Sequence, residues 1–275
     1  MKNGAIGTGD IDRARARNPS ASGHAHDVRG ANSDRLDDAQ PFGNEIHANA
    51  AKGMLSFEEA ARTRRSFRGF QRTPVPESII REVLEDAQCA PSNCNTQPWN
   101  VHIVSGAKLE GLSRVLHARS DAGDFTPDFP FDMDEFYGPY EARKNAQGKA
   151  YYEAMNVMRD DREGRQRAAA MNYSFFNAPH VALLFMPSFG DNVRVAGDVG
   201  MYGQTFLLSL AARGLGGVPQ TALGFFAGAI RDYLGIPENL KMLFGISFGY
   251  PDEEAPGNRI RMDRAPISES VTFHR

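Results

Sequence analysis

The sequence contains little cysteine, no long apolar run and no surplus of charge of one sign. Its two cysteines, Cys89 and Cys94, are five positions apart, so they do not form the C-x-x-C pattern of a redox or zinc pair. No apolar run reaches the roughly eighteen residues of a membrane span, and about the first thirty residues lack the apolar core of a secretory signal. With 31 basic against 34 acidic residues, no nucleic-acid partner is expected. These absences predict a cytoplasmic protein that binds neither membrane nor nucleic acid.

The first part of the chain, residues 1–53, is poor in large apolar side chains. It is rich in Gly, Ala, Ser, Asn, Asp and Arg, and the first phenylalanine is Phe42. Such a segment cannot bury enough apolar surface to offset the entropy that ordering would cost. The sequence therefore predicts a disordered or extended arm over residues 1–53 and one folded domain over residues 54–275.

Local patterns in the folded part predict more helices than strands. Ser56 and Glu59 form a capping box, and Asp198 is expected to cap a long apolar helix that ends before Gly214. The predicted helices cover residues 56–63, 76–90, 107–117, two stretches within 140–175, 199–213 and 227–234. The predicted strands cover residues 99–105, 181–186 and 242–250. Because strands and helices do not alternate regularly, the fold class is α+β rather than a doubly wound sheet.

Residues 121–140, here called the lid segment, combine many aromatic residues with prolines and acidic residues. The spacing is too irregular for a core element, and the aromatic content is too high for an ordinary loop. We expect a lid over a flat, small aromatic ligand, because aromatic side chains stack on such molecules.

Four short segments carry the chemistry, and the first is the arginine cluster, made of Arg64, Arg65, Ser66 and Arg68. Arginine offers bidentate donors with a permanent charge, which suits a phosphate dianion, and a hydroxyl lies close by. The alternative is a solvated basic turn ahead of Gly69.

The second is the amide loop, which connects a predicted helix to a predicted strand and is rich in amides and hydroxyls between two prolines. Its candidate binding residues are Pro91, Ser92, Asn93 and Asn95. Asparagine offers both a donor and an acceptor, which suits the polar edge of a heterocycle. The alternative is that these residues are common in any loop.

The third is the glycine segment, residues 214–222, whose three glycines permit close approach of the backbone to a planar ligand. Its candidate binding residues are Pro219, Gln220, Thr221 and Ala222. Gly214 is equally explained as a helix C-cap, and the segment is not a G-x-G-x-x-G dinucleotide motif.

The fourth is the pair Arg259 and Arg261, two positions apart in a tail that we expect to be extended. In extended backbone the two side chains point the same way. Positive charge beside a bound redox cofactor would tune its potential, whereas taken alone the pair could be ordinary surface charge.

In this order and at these separations, the four segments resemble the FMN-dependent nitroreductase family, from about Ser56 to Arg275. The arginine cluster resembles the family's phosphate and ribityl site. The amide loop, continuing through Gln97, Pro98 and Trp99, resembles the flavin-edge loop that the second subunit provides. Residues 219–222, at the end of the glycine segment, resemble the part whose backbone faces the reactive edge of the ring. The Arg259 and Arg261 pair resembles the basic pair closing on the phosphate.

The resemblance implies a nitroreductase-like fold, with a central, mostly antiparallel sheet flanked by helices, and an intertwined homodimer with FMN at the interface. It also implies that NADH or NADPH reduces the FMN and that a nitroaromatic or quinone-like acceptor is then reduced in a ping-pong cycle. No side-chain acid or base is implied, so the site residues are cofactor-binding and none is catalytic.

Other functions remain open at this stage. Reductive dehalogenation, or flavin binding without catalysis, would use the same segments. A serine hydrolase is a distant alternative, because residues 245–249 spell G-x-S-x-G around Ser247, with Asp263 and His274 downstream. The histidines show no spacing typical of metal ligands, so no metal is expected.

Overall fold

The computed structural model describes residues 54–275, and the arm predicted for residues 1–53 lies outside them. Within the described residues, four strands form one antiparallel sheet in the order β1-β2-β4-β3. The strands are β1 (Asn100–Ser105), β2 (His180–Pro187), β3 (Gly216–Gln220) and β4 (Leu240–Gly249). The prediction of a mostly antiparallel sheet is confirmed.

Helices flank this sheet, which confirms the α+β class. They are α1 (Phe57–Thr63), α2 (Glu77–Gln88), α3 (Gly106–Asp121), α4 (Gly138–Ala154), α5 (Arg162–Ala170), α6 (Val193–Ala212) and α7 (Ala227–Leu234). Helix α1 begins as its sequence predicts, because the Ser56 hydroxyl accepts from the Glu59 amide while the Glu59 carboxylate accepts from the Ser56 amide, at 2.8 Å. Two of the amides that lack an intrahelical partner at the helix start are thereby satisfied.

Strand β2 organises the core, because both of its faces are covered. Val181, Leu183 and Phe185 pack in the cluster that includes α3 and α7. The alternate residues, from Ala182 to Met186, pack in the cluster that includes α2 and α6. Side chains alternate across a strand, so a strand that is buried on both faces has an uninterrupted apolar sequence.

Two features of the fold differ from the sequence predictions. Helix α6 begins at Val193 after Asn192, so Asp198 is not its N-cap. Asp198 instead lies within α6 and is buried, and its carboxylate accepts a hydrogen bond from the Asn93 amide at 3.1 Å. Strand β3 was not predicted, because its glycines and Pro219 disfavour a strand. These residues are tolerated because β3 lies at the edge of the sheet and pairs with β4 on one side.

His180, at the start of β2, joins two other elements and should make stability depend on pH. Its Nε2 accepts from the Val75 amide at 2.9 Å, so Nδ1 carries the proton and faces the Ser105 hydroxyl. Burial lowers the pKa of His180 below its ordinary 6.5. Glu77 and Arg81 lie on the surface beside it.

Because the unfolded chain binds a proton at His180 more readily than the folded chain, the free energy of unfolding should fall as pH drops below about 6.5. Burial lowers the pKa of His102 as well, with the same sign. Urea unfolding at several pH values between 5 and 8 would check this dependence. His180→Phe, which cannot titrate, should show a shallower pH dependence, and an unchanged dependence would contradict the assignment.

Candidate anion-binding cavity

A cavity of about 1190 Å³ opens beside the edge of the sheet at β3. Its walls come from the end of α1 and the arginine cluster, from α6, from residues 214–217 and from the C-terminal tail. The cavity-lining residues from α6 are Gln204, Leu207 and Ala211, and those from the tail are Ile260, Arg261, Met262 and Arg264.

The cavity wall carries a positive charge that no acidic side chain among residues 54–275 balances. Arg64, Arg65, Arg68, Arg261 and Arg264 line it, and none of them pairs with a carboxylate within residues 54–275. In contrast, Arg62 at the rim pairs with Glu58 at 2.9 Å. Arg64, Arg65 and Arg68 are half-buried, whereas Arg261 and Arg264 are exposed. Guanidinium groups that face one cavity can bind an anion, and their planar forks match the oxygens of a phosphate.

Burial and mutual repulsion both act on these arginines. Burial lowers the pKa of Arg64, and the nearby charge of Arg264 lowers it further. Burial also lowers the pKa of Arg68, whose guanidinium lies over the Tyr151 ring at 5.4 Å. An anion in the cavity would relieve both effects, since it stabilises the charged form of each guanidinium.

The arginine cluster is joined directly to the edge of the sheet. Ser66 forms a parallel bridge with Gly217, and the Phe67 amide donates to the Gly217 carbonyl at 3.3 Å. Gly217 also faces α6 so closely that an added Cβ would lie 2.7 Å from Leu207 Cδ2. The glycine therefore serves the close approach of backbone to a neighbouring helix.

The structure separates the two arginines that the sequence pairs. Both side chains are exposed, but Arg261 lines the cavity whereas Arg259 lies outside its lining. The expectation of an extended tail is wrong at Arg259, because its backbone is helical (φ −78°, ψ −16°) at the end of a turn over Pro256–Asn258. Two further residues carry no site prediction from the sequence: Arg264, which lines the cavity and continues the basic spacing of the tail, and Tyr151, which packs under Arg68.

The amide loop lies outside the cavity. Cys94, Asn95 and Gln97 have positive φ values of 51°, 56° and 46°, which are costly for residues other than glycine and require support. The Ser92 hydroxyl accepts from the Gln97 amide at 2.9 Å, and the Asn93 amide donates to Asp198. Pro91 begins this tightly held loop, which presents polar groups at the surface.

The end of the glycine segment also lies outside the cavity, and its side chains divide between surface and core. Pro219 and Thr221 are exposed, Ala222 is half-buried and Gln220 is buried. The Gln220 amide donates to the Asn172 carbonyl at 3.0 Å, and its oxygen accepts from Ser247. Only the backbone and the exposed side chains of this segment are available to a ligand.

Ser247 is not a nucleophile. It is fully buried within β4 and donates its hydroxyl proton to Gln220. A nucleophile elbow passes from a strand into a helix, whereas β4 continues to Gly249 and the chain then turns at Pro251. Residues 54–275 also contain no group of three His, Cys, Asp or Glu side chains that could hold a metal ion.

The lid segment is attached to the domain at two points. The Thr126 amide donates to the Phe225 carbonyl at 2.8 Å, and the Asp128 carboxylate accepts from the Met242 amide at 2.8 Å and pairs with Arg231. None of residues 121–140 lines the cavity. The lid segment therefore covers a different surface of the protomer from the arginine cluster.

Gly69 allows the arginine cluster to pack against the tail. A Cβ at this position would lie 2.2 Å from the Cβ of Ala255, so Gly69→Ala should destabilise the fold by about 1–3 kcal/mol. Gly148→Ala is the matched control, because it lies within α4 with nothing within 4 Å of the added Cβ. In urea unfolding, Gly148→Ala should have a free energy of unfolding equal to or higher than that of the wild type. Equal stability of the two variants would contradict the close packing at Gly69.

The fold and the cavity define an α+β protein with several arginines around one cavity, and comparison with known proteins gives its family. The chain belongs to the nitroreductase family, whose model matches residues 61–250. It is 41% identical over 218 residues to "Nitroreductase NfnB" of Mycolicibacterium smegmatis, covering 79% of this chain and 92% of that protein. It is 34% identical over 212 residues to "4-nitrobenzoate reductase" of Pseudomonas putida, covering 76% and 91%.

A solved structure agrees with this assignment. The FMN-dependent nitroreductase NfnB from Mycobacterium smegmatis, in complex with NADPH, matches with a TM-score of 0.77 and 41% identity, over 79% of this chain and 97% of that one. The fold predicted from the resemblance is therefore confirmed. Among residues 54–275, no helix combines the length and the apolar character that crossing a membrane requires.

Proposed function

We propose that the protein is an FMN-dependent oxidoreductase that passes electrons from NADH or NADPH to a nitroaromatic or quinone-like acceptor. The observation that carries this proposal is the set of five arginines that line one large cavity and have no carboxylate partner within the described part of the chain. Its support is membership of the nitroreductase family and the likeness to an FMN-dependent nitroreductase in complex with NADPH.

The residues of the cavity fit the phosphate end of FMN. Arg64, Arg65, Arg68 and Arg261 all line the cavity, so bidentate donors are available for a dianion. Ser66 also lines it and adds a hydroxyl. The volume of about 1190 Å³ leaves room for the rest of the cofactor.

The remaining candidate binding residues support a site shared between two subunits. The amide loop, with Pro91, Ser92, Asn93 and Asn95, lies outside the cavity of its own protomer. We therefore assign it to the flavin of a second copy in a homodimer. We assign the backbone of the glycine segment, at Pro219, Gln220, Thr221 and Ala222, to the ring of the flavin. Arg259, being outside the cavity, receives no phosphate contact in this proposal.

The chain's own groups would bind and orient rather than transfer protons. When bound, FMN would supply the two-electron redox chemistry of both half-reactions. The arginines hold one end of the cofactor and place positive charge beside it. Phe125 and Phe131 of the lid segment are 54% and 42% exposed, so they remain available to stack on a flat acceptor.

Two broader assignments also remain proposals. We place the boundary between the N-terminal arm and the FMN-binding domain at residue 54. We also propose a cytoplasmic setting, which is favoured by two cysteines that are exposed and unpaired.

Steady-state kinetics would test the proposed function. Initial rates with NADPH and a nitroarene such as 4-nitrobenzoate should give parallel double-reciprocal plots, because donor and acceptor react in separate half-reactions. The same experiment with NADH would establish the preferred donor. A purified, FMN-loaded protein that oxidises neither donor in the presence of nitroarenes or quinones would contradict the proposal. That result would favour the alternative function, flavin binding without catalysis.

A further inference from the structure

Asn258 is a buried residue that lies behind the wall of the cavity. Its side chain is only 4% exposed and does not line the cavity. The side-chain oxygen accepts from the Arg68 amide at 2.5 Å, and the side-chain nitrogen donates to the Gly69 carbonyl at 2.8 Å and to the Asp252 carbonyl at 2.7 Å. The side chain therefore fastens the arginine cluster to the tail.

The backbone carbonyl of Asn258 accepts hydrogen bonds from two of the arginines that line the cavity. The Asn258 carbonyl accepts from Nη1 of Arg65 at 2.5 Å and from Nη1 of Arg261 at 2.9 Å. Two guanidinium groups of like charge repel each other unless a negative group lies between them. One carbonyl oxygen holds both groups near each other before any anion is bound.

The backbone around Asn258 has little room to move. An added Cβ at Gly257 would lie 2.9 Å from the Cβ of Arg68 and 3.1 Å from its carbonyl oxygen. The side-chain hydrogen bonds of Asn258 thus fix the position of its own carbonyl, and the carbonyl fixes the two guanidinium groups. Loss of the side chain should shift both arginines together.

We propose that Asn258 is a positioning residue for phosphate recognition, acting through Arg65 and Arg261 without touching the ligand. This inference rests on the proposed binding of FMN. Its effect is specific, because the arginines that it holds face the phosphate end of the cofactor. Riboflavin has the same ring and ribityl chain as FMN but lacks the phosphate, so its binding does not depend on this arrangement.

Flavin titrations of the full-length apoprotein test the inference, with flavin fluorescence as the readout. Asn258→Ala should raise the Kd for FMN about 10- to 100-fold, since misplaced charged donors lose most of their benefit. The Kd for riboflavin should be nearly unchanged. Asn258→Ser, which retains one hydroxyl for hydrogen bonding, should give a smaller loss and provides the same comparison if the alanine variant does not fold.

Ser209→Ala is the matched control. Ser209 is also buried and hydrogen-bonded, to Asp86 and Arg213, but it lies outside the cavity. Its loss should lower stability and leave the ratio of the two Kd values unchanged. If the Asn258 variants weaken FMN and riboflavin by the same factor, the role is structural and the inference is overturned. If the wild-type protein itself does not prefer FMN to riboflavin, the proposed function fails first.

Discussion

Arg261→Ala is expected to raise the Kd for FMN about 10- to 100-fold, the cost of losing a charged, bidentate phosphate donor. Arg261 lines the cavity and is held by the Asn258 carbonyl at 2.9 Å. No carboxylate among residues 54–275 competes for its charge. Titration of the wild-type and variant apoproteins with FMN at low and high salt measures the ratio of their Kd values, which should be smaller at high salt because salt screens the charges.

Arg259→Ala is the natural control for this prediction, because the two arginines are close in sequence and carry the same charge. Arg259 is exposed and lies outside the cavity, and its guanidinium donates to the Glu254 carbonyl at 3.5 Å. Its removal should change the Kd for FMN only slightly. Equal losses in the two variants would show that the tail adopts the extended form expected from sequence, with both arginines on the phosphate.

Asp128→Ala is expected to lower the free energy of unfolding by about 3–5 kcal/mol, as when one partner of a buried ion pair is removed. The Asp128 side chain is 4% exposed and that of Arg231 is 13% exposed. The carboxylate also accepts from the Met242 amide and lies 3.5 Å from Lys241 Nζ. Its loss leaves a buried guanidinium and a buried amide without their partner, and it detaches the middle of the lid segment.

Urea unfolding of Asp128→Ala and of Asp124→Ala would test this prediction. Asp124 lies in the same segment and pairs with Arg119, but both side chains are more than 40% exposed. Solvent-exposed ion pairs contribute at most about 1 kcal/mol, so the control should stay close to the wild type. A small effect at Asp128 would mean that the lid segment is not held by this pair.

Local signals in the sequence predicted most of the elements. The capping box at Ser56 and the glycine at position 235 mark helix ends that the structure reproduces. The continuous apolar run of β2 indicated a buried strand because neighbouring side chains occupy opposite, covered faces. Helix α6 was predicted too short, since Asp198 looks like a cap while it is a buried acceptor for the amide loop.

The site was harder to predict, because it depends on contacts between distant residues. The arginine cluster was recognisable from its composition, but Arg65 meets the Asn258 carbonyl across 193 positions of sequence. Spacing alone could not distinguish Arg259 from Arg261, since a single helical turn before them changes the direction of one side chain. The amide loop was recognised from its family pattern, and its proposed ligand belongs to a second subunit.

The most direct test of the proposed function is an anaerobic titration of the purified protein, followed in the visible absorption bands of FMN. Addition of NADPH should bleach these bands, and subsequent addition of a nitroarene or quinone should restore them without further donor. This result would demonstrate both half-reactions in one sample. A protein that neither retains nor binds FMN, or whose FMN is not bleached by NADPH or NADH, would contradict the assignment.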